Sequence, residues 1–562
     1  MEKIFSDLGI EIILAAVLGI VAKLLKQPLI AAYILAGFIL GPAILGMTPN
    51  AELNSLFSTI GVAFLLFTVG LELSINKIKE AGKKVLFIGM IQILATALLG
   101  YIFCILIGFN NLSSLYIGGL LSFSSTIIVV NLLTEKKAIS SLYGKISIGV
   151  LVLQDIVALL LMVFLSGFSA EKTLSVFSLS IILFKGFVLF AIVYLIGHFF
   201  ISKLFKYLAH HTDLLFLFSI AWCFAVSGIF SYLGFSIEMG AFVAGVSLAN
   251  MAYTEEMTLK LLPLRDFFLI LFFITLGSEI NWSGMGNMIV PIILLVLFVL
   301  IVKSLVTFWA SLSVGFSKRT SFYSAMSLSQ VSEFSLIIAA IGLSLGHINK
   351  DISSIIIIVT IITILLSSYL ITFLGNIYNA LRKPLSVIGF LNKEEEREDI
   401  PKMKNHIILF GYHRLGKQIF ASLEKISKKI IIVDLDPDVV ENLNHMGKHC
   451  IYGDAYNPEL LEKLNIAEAK MIVSTFPGKK SSKFLIKKIK STKSKSKIII
   501  MAEHSDDAIY LYKHGADYVI LPHHLSGEHV SGMLDGIRKK KTTFNKLRNQ
   551  HLISIKKYKD TI

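Results

Sequence analysis

Charge is scarce in this chain, and cysteine is scarcer. Asp, Glu, Lys and Arg make up 16% of its 562 residues, against 55% hydrophobic residues and a mean hydropathy of +0.74. That balance excludes a soluble protein, and the length excludes a single domain. The three cysteines, Cys104, Cys223 and Cys450, stand at neither disulfide nor metal-ligand spacing, so nothing could hold an iron–sulfur cluster. No histidines face one another in the apolar runs to hold haem, which argues against a membrane oxidoreductase. A channel is disfavoured too, because no filter loop such as Thr-Val-Gly-Tyr-Gly is present. The first apolar run, Ile10–Leu25, lacks the strong basic lead of a cleaved signal peptide and reads as a retained helix.

What is present is a series of apolar runs of about 20 residues, about 13 in all, each long enough to cross a bilayer core. They extend from Ile10 to Leu381 and then stop. Backbone groups in lipid must bond internally, so the runs read as helices. The net charge of the whole chain is +15, and within the apolar part the basic residues fall in every second loop: Lys23/Lys26, Lys77–Lys84, Lys136/Lys137/Lys145, Lys203/Lys206, Lys260/Arg265 and Lys318/Arg319. The alternate loops hold only Lys172 and Lys350. This pattern points to a membrane rather than to nucleic acid, and places the N-terminus outside and the Lys-rich C-terminal domain in the cytoplasm.

One stretch carries a cost that demands an explanation. Gln154-Asp155 lies near the middle of an apolar run, where a charge costs about 2.5 to 3.5 kcal/mol on insertion scales unless it is used. A proton and a small cation are its natural ligands, because one carboxylate holds either but not both at full strength. Two spans are interrupted by polar clusters, Ser122–Asn131 in the fifth and Ser327–Ser335 in the twelfth. Corresponding broken helices in two halves of a chain point to a transporter site at an inverted-repeat interface. Lys303 is the second buried charge, too deep to snorkel, and reads as an ammonium partner for Asp155 or for the broken helices. Glu72 reads as a structural ion pair, Lys185 as packing or snorkelling, and Asp213 and Glu238 as interfacial carboxylates.

Taken together, Leu65–Glu72, Phe123–Val130, Val152–Val157, Gly240–Gly245, Phe272–Gly277 and Gln330–Phe334 resemble the monovalent cation:proton antiporter 2 family, and within it the Kef-type potassium efflux systems. The resemblance covers nearly the whole chain. It implies a polytopic all-α membrane domain of about 13 helices, with inverted repeats and crossed broken helices as in sodium/proton antiporters, followed by a cytoplasmic α/β domain. It also implies a homodimer in a bacterial inner membrane. The resemblance makes Asp155 the cation and proton site, with Ser124, Ser125 and Thr126 helping to coordinate the ion; Gln154, Lys303 and Glu333 join them as candidate ion- and proton-binding residues. Electrogenic relatives have two adjacent carboxylates, whereas the first is the amide Gln154 here. That implies electroneutral exchange, with potassium favoured over sodium.

On this reading residues 1–381 form the exchanger, 382–404 a charged linker, 405–535 a Rossmann-like domain and 536–562 a basic tail suited to a surface helix or an arm on anionic lipid. Asn405–Phe410 reads as a strand, followed by the glycine turn Gly411-Tyr-His413-Arg414-Leu415-Gly416 and a helix start. A second strand ends at Asp434, where dinucleotide folds place the acid that binds ribose. Asp454 and Ala455 follow another strand end and join the candidate nucleotide contacts. The stretch is similar to the TrkA-N (RCK) nucleotide-binding domain of potassium-conductance regulators. His413 replaces the middle glycine of G-x-G-x-x-G, which leaves AMP and NAD(H) both open. Kef-type systems are gated by glutathione; Glu503–Leu534 looks more like generic conductance regulators, which leaves open whether glutathione or another small ligand gates this chain.

Overall fold

The structure is a computed structural model that describes all residues except 1, 26, 43, 47–50, 73–74, 137, 140, 168–175, 202–211, 250, 252–253, 281–284, 388–402, 413, 454–457, 477, 493, 540–542 and 561–562. The chain divides into two compact units near Glu395.

The described secondary-structure elements of the first unit are all helices. Six helical segments there have the length and hydropathy of a full membrane crossing, and four further apolar helices are shorter. Both polar clusters interrupt helices. Asn111–Leu121 stops at Ser122 and the helix restarts as Thr126–Glu135, while Lys318–Ser327 stops at Leu328 and restarts as Glu333–Ser344. Local sequence explains the restarts, because a serine stands at each N-cap. Ser125 Oγ accepts from Ile128 N at 3.4 Å and Ser332 Oγ from Phe334 N at 3.2 Å.

Two long helices flank the breaks. Leu142–Gly167 carries Gln154 and Asp155. The span Ile289–Ser313 contains a π-helical turn, Phe298–Lys303, which ends on the buried lysine. Such turns concentrate at functional sites, since the extra residue re-aims a side chain. Elsewhere helices meet backbone to backbone. A Cβ at Gly277 would lie 2.0 Å from Ile34 O, and one at Gly245 would lie 2.2 Å from Phe67 O. Only glycine fits either contact, a small-residue interface of the kind membrane helices use. The apolar core around the breaks includes Phe123, Val299, Val331, Phe334 and Ile356.

The second unit holds a six-stranded, wholly parallel sheet in the order β3-β2-β1-β4-β5-β6. The strands are β1 Ile407–Phe410, β2 Ile430–Asp434, β3 Cys450–Tyr452, β4 Met471–Ser474, β5 Lys497–Met501 and β6 Tyr518–Ile520. Their near-continuous apolar runs follow from burial on both faces. Ile408, Phe410, Ile431 and Val433 pack on one side, and Ile407, Leu409, Ile430 and Ile432 on the other. The strand order reverses between β1 and β4, the switch point at which such sheets bind ligands.

His406, just before β1, is fully buried, and its Nε2 lies 3.0 Å from Leu464 O. A carbonyl only accepts, so this nitrogen carries the proton. Burial pushes the imidazole pKa below its ordinary 6.5, so the folded unit keeps the ring neutral while the unfolded chain protonates it. Stability from this group is whole above about pH 6.5 and is lost as pH falls towards the folded value. The melting midpoint of the second unit should fall on acidification from pH 7 to 5, and less steeply in His406→Leu; an unchanged slope would assign the effect elsewhere.

Candidate functional site

The two breaks meet at a crossing, and side chains from one hold backbone groups of the other. Ser124 Oγ donates to Leu328 O at 2.9 Å, Gln330 Nε2 to Ser125 O at 3.2 Å, and Ser335 Oγ to Leu120 O at 2.8 Å. The fully buried Lys303 bridges both breaks, donating to Phe123 O at 2.7 Å and to Gln330 O at 2.6 Å. Of its two expected partners, Lys303 has taken the broken helices. Gln330 is held in turn by Ser367 Oγ, which donates to its Oε1, and Val331 N donates to Thr363 Oγ1 at 3.2 Å. Backbone groups freed by unwinding thus find protein partners where lipid offers none.

Gln154 and Asp155 are neighbours in sequence but do different work. Successive residues on a helix point about 100° apart. Gln154 is fully buried, its Oε1 accepting from Ser124 N at 2.8 Å and its Nε2 donating to Gln92 Oε1. Asp155 is only half-buried, and its Oδ2 accepts from Thr126 Oγ1 at 2.9 Å. The hydroxyls divide in the same way. Ser124 and Ser125 hold the crossing and the restarted helix, whereas Thr126 faces the carboxylate. One carboxylate and one hydroxyl, held together at the first turn of a half-helix, form an oxygen set that suits a hard monovalent cation or a proton.

Glu333 opens the other restarted helix and is 4% exposed. Its Oε2 has no hydrogen-bond partner among the described residues. Lys185 is exposed and Glu238 half-buried, while the side chains of Glu72 and Asp213 lie outside the described residues. Sequence reading missed Gln92 and left Gln330 as a motif residue without a role. A lone amide beside Thr96 in the run Val85–Ile107 was the available signal for Gln92.

Lys303→Leu removes the donor from two buried carbonyls, at about 1 to 3 kcal/mol each. We expect a large fall in melting temperature in detergent for Lys303→Leu and a smaller one for Lys303→Gln, whose NH₂ keeps two donors. Equal losses would mean that Lys303 acts by volume rather than by its hydrogen bonds.

In the second unit the loop after β1 sits at the switch point. Gly411 has φ +86°, where other residues are strained, and its N–H bonds Val433 O at 2.8 Å. A Cβ on Gly416 would lie 1.9 Å from Gly411 O, so this glycine lets the helix Arg414–Ile426 start against the strand end. The loop therefore has the close backbone approach and the helix N-terminus that fit a phosphate. Asp434 turns inward, with Oδ2 accepting from Tyr412 N at 2.7 Å and Oδ1 from Asp436 N at 2.9 Å. It braces the glycine loop, and a ribose would share those oxygens with the two N–H groups. Leu415, in the first turn of the helix Arg414–Ile426, is half-buried. His413, Asp454 and Ala455 lie outside the described residues, as does the Arg414 side chain.

The transmembrane sodium/hydrogen exchanger family matches residues 12–376, and the TrkA-N domain matches residues 407–522. A putative cation/proton antiporter, YbaL of Escherichia coli (strain K12), is 27% identical over 523 residues, covering 91% of this chain and 93% of its own length. The glutathione-regulated potassium-efflux system protein KefC of Salmonella schwarzengrund is 27% identical over 507 residues, covering 89% and 80%. The solved sodium proton antiporter MjNhaP1 of Methanocaldococcus jannaschii aligns at 19% identity and a TM-score of 0.49, over 70% of this chain and 99% of that one. Because the first match spans more than half of the chain and contains both broken helices, Asp155 and Lys303, the chain belongs to the sodium/hydrogen exchanger family and carries a TrkA-N domain behind its membrane part.

Proposed function

We propose that this chain exchanges one potassium ion for one proton by alternating access, with Asp155 as the shared site and Thr126 as its co-ligand. The observation that carries the reading is the half-buried Asp155–Thr126 pair at the crossing, beside a neighbour whose amide is used up in holding the backbone. Deprotonated Asp155 binds the cation with Thr126 and nearby oxygens, and protonation from the other side releases it. Only the two neutral, loaded forms cross cheaply, since a bare carboxylate is costly in low dielectric. Potassium is preferred to sodium because the Gln-Asp pair resembles potassium-handling exchangers, and KefC, among the relatives, is named a potassium-efflux protein.

The protein works as a homodimer in a bacterial inner membrane, with its N-terminus outside and the TrkA-N domain in the cytoplasm, in keeping with the alternation of basic loops. The TrkA-N domain regulates exchange by binding AMP or NAD(H). Gly411, Gly416 and the N-terminus of Arg414–Ile426 would hold phosphate, and Asp434 the ribose. The nucleotide supplies binding energy that differs between transport states, and no reaction chemistry.

In proteoliposomes, external potassium should collapse an imposed proton gradient through wild type and not through Asp155→Asn. Thr126→Val, which loses one hydrogen bond to a charged group, should raise the potassium KM by about 10-fold at an unchanged stoichiometry. Potassium flux through Asp155→Asn, or current without proton movement in wild type, would sink the exchange reading.

A further inference from the structure

Gln92 and Gln154 form a chain of hydrogen bonds whose direction is set at both ends. At one end Ser124 N can only donate, and it donates to Gln154 Oε1 at 2.8 Å. This turns Gln154 Nε2, a donor, towards Gln92, whose Oε1 receives it. Gln92 Nε2 then reaches Ser122 O at 2.9 Å, a group that can only accept. Thr96 Oγ1 lies 3.4 Å from the same nitrogen and, as a hydroxyl, adapts to either orientation, so Ser122 O decides it. Gln92, Thr96, Ser122, Ser124 and Gln154 are all fully buried.

A carboxylate at position 154 would break this chain. Its second oxygen would face Gln92 Oε1, acceptor against acceptor, and turning the Gln92 amide over would move the clash to Ser122 O. An acid escapes only by keeping its proton, because a carboxylic O–H donates as Nε2 does. We propose that Gln92 is a positioning residue that holds position 154 to an uncharged hydrogen-bond donor, and so limits the exchange site to the single charge of Asp155. The inference rests on the one-for-one exchange proposed above. Gln92 does not touch the ion; it acts through Gln154 and through the unwound Ser122–Ser125.

The test measures exchange by the full-length protein in proteoliposomes at two imposed membrane potentials. Gln154→Glu should show no voltage dependence, whatever its rate, because Gln92 keeps the new acid protonated. Adding Gln92→Ala removes the opposing oxygen and makes room for water, so the double variant should become voltage-dependent. Gln92→Glu should support exchange at low pH, where its acid O–H can bond Ser122 O, and lose it as pH rises. Voltage dependence in Gln154→Glu alone, or none in the double variant, would overturn the proposal. Melting in detergent gives a readout without transport. The folded pKa of Gln154→Glu is raised, so its midpoint should fall as pH rises above the unfolded value of about 4.3, and this fall should vanish in the double variant. Equal melting profiles for single and double variants overturn the role of Gln92 even if no protein transports. A wild type that exchanges nothing overturns the one-for-one reading and leaves Gln92 to be judged by those profiles.

Discussion

An unwound backbone at membrane depth must find its hydrogen bonds in the protein. Lipid supplies none, and an unpaired polar group there costs several kcal/mol. The chain unwinds at Ser122–Ser125 and at 328–332, and much of the polar interior answers that need. Lys303 bridges Phe123 O and Gln330 O, Gln92 takes Ser122 O, Gln154 takes Ser124 N, and Thr363 takes Val331 N. Each half-helix is stable only while these partners stay in place. The crossing is therefore the rigid part of the site, and a residue's role follows from which backbone group it holds.

That criterion separates neighbours that look alike in sequence. Gln154 and Ser124 are committed to backbone atoms and fully buried, so exchanging partners would unmake the crossing. Asp155 and Thr126 bond each other at a half-buried position. A carboxylate that can give up the Thr126 hydroxyl for a cation or a proton is what a site that loads and unloads in each cycle requires.

Much of this was legible in the sequence, because lipid makes polar residues expensive and so makes used ones conspicuous. Asp155, Lys303 and the two serine-rich interruptions stood out by cost alone. The partner of Lys303 did not, since a carboxylate and two broken helices were equally available until a π-helical turn aimed the side chain at the carbonyls. Gln92 was illegible for a different reason. A single amide costs less than a charge and reads as packing, and its meaning depends on the carbonyl of Ser122, thirty residues away, and on the side chain of Gln154, which is itself held by Ser124 N. In the TrkA-N unit the parallel sheet and the glycine turn followed from spacing. The inward turn of Asp434 did not, because it answers to the N–H of Tyr412 and Asp436 rather than to any motif.

A single charge also simplifies the crossing of the membrane. On the exchange proposed above, Asp155 is neutral when loaded with a proton or a monovalent cation; empty, it carries one negative charge and is held back by the low dielectric. Were position 154 ionised as well, the cation-loaded site would remain negative, and a second proton or a second cation would have to travel to neutralise it. Stoichiometry in such a site is thus decided less by the group that binds the ion than by its neighbour, which faces away from the ion and into the crossing. Whether that neighbour is charged depends in turn on the donors and acceptors it meets there, and in this chain those are a backbone N–H and the oxygen of Gln92.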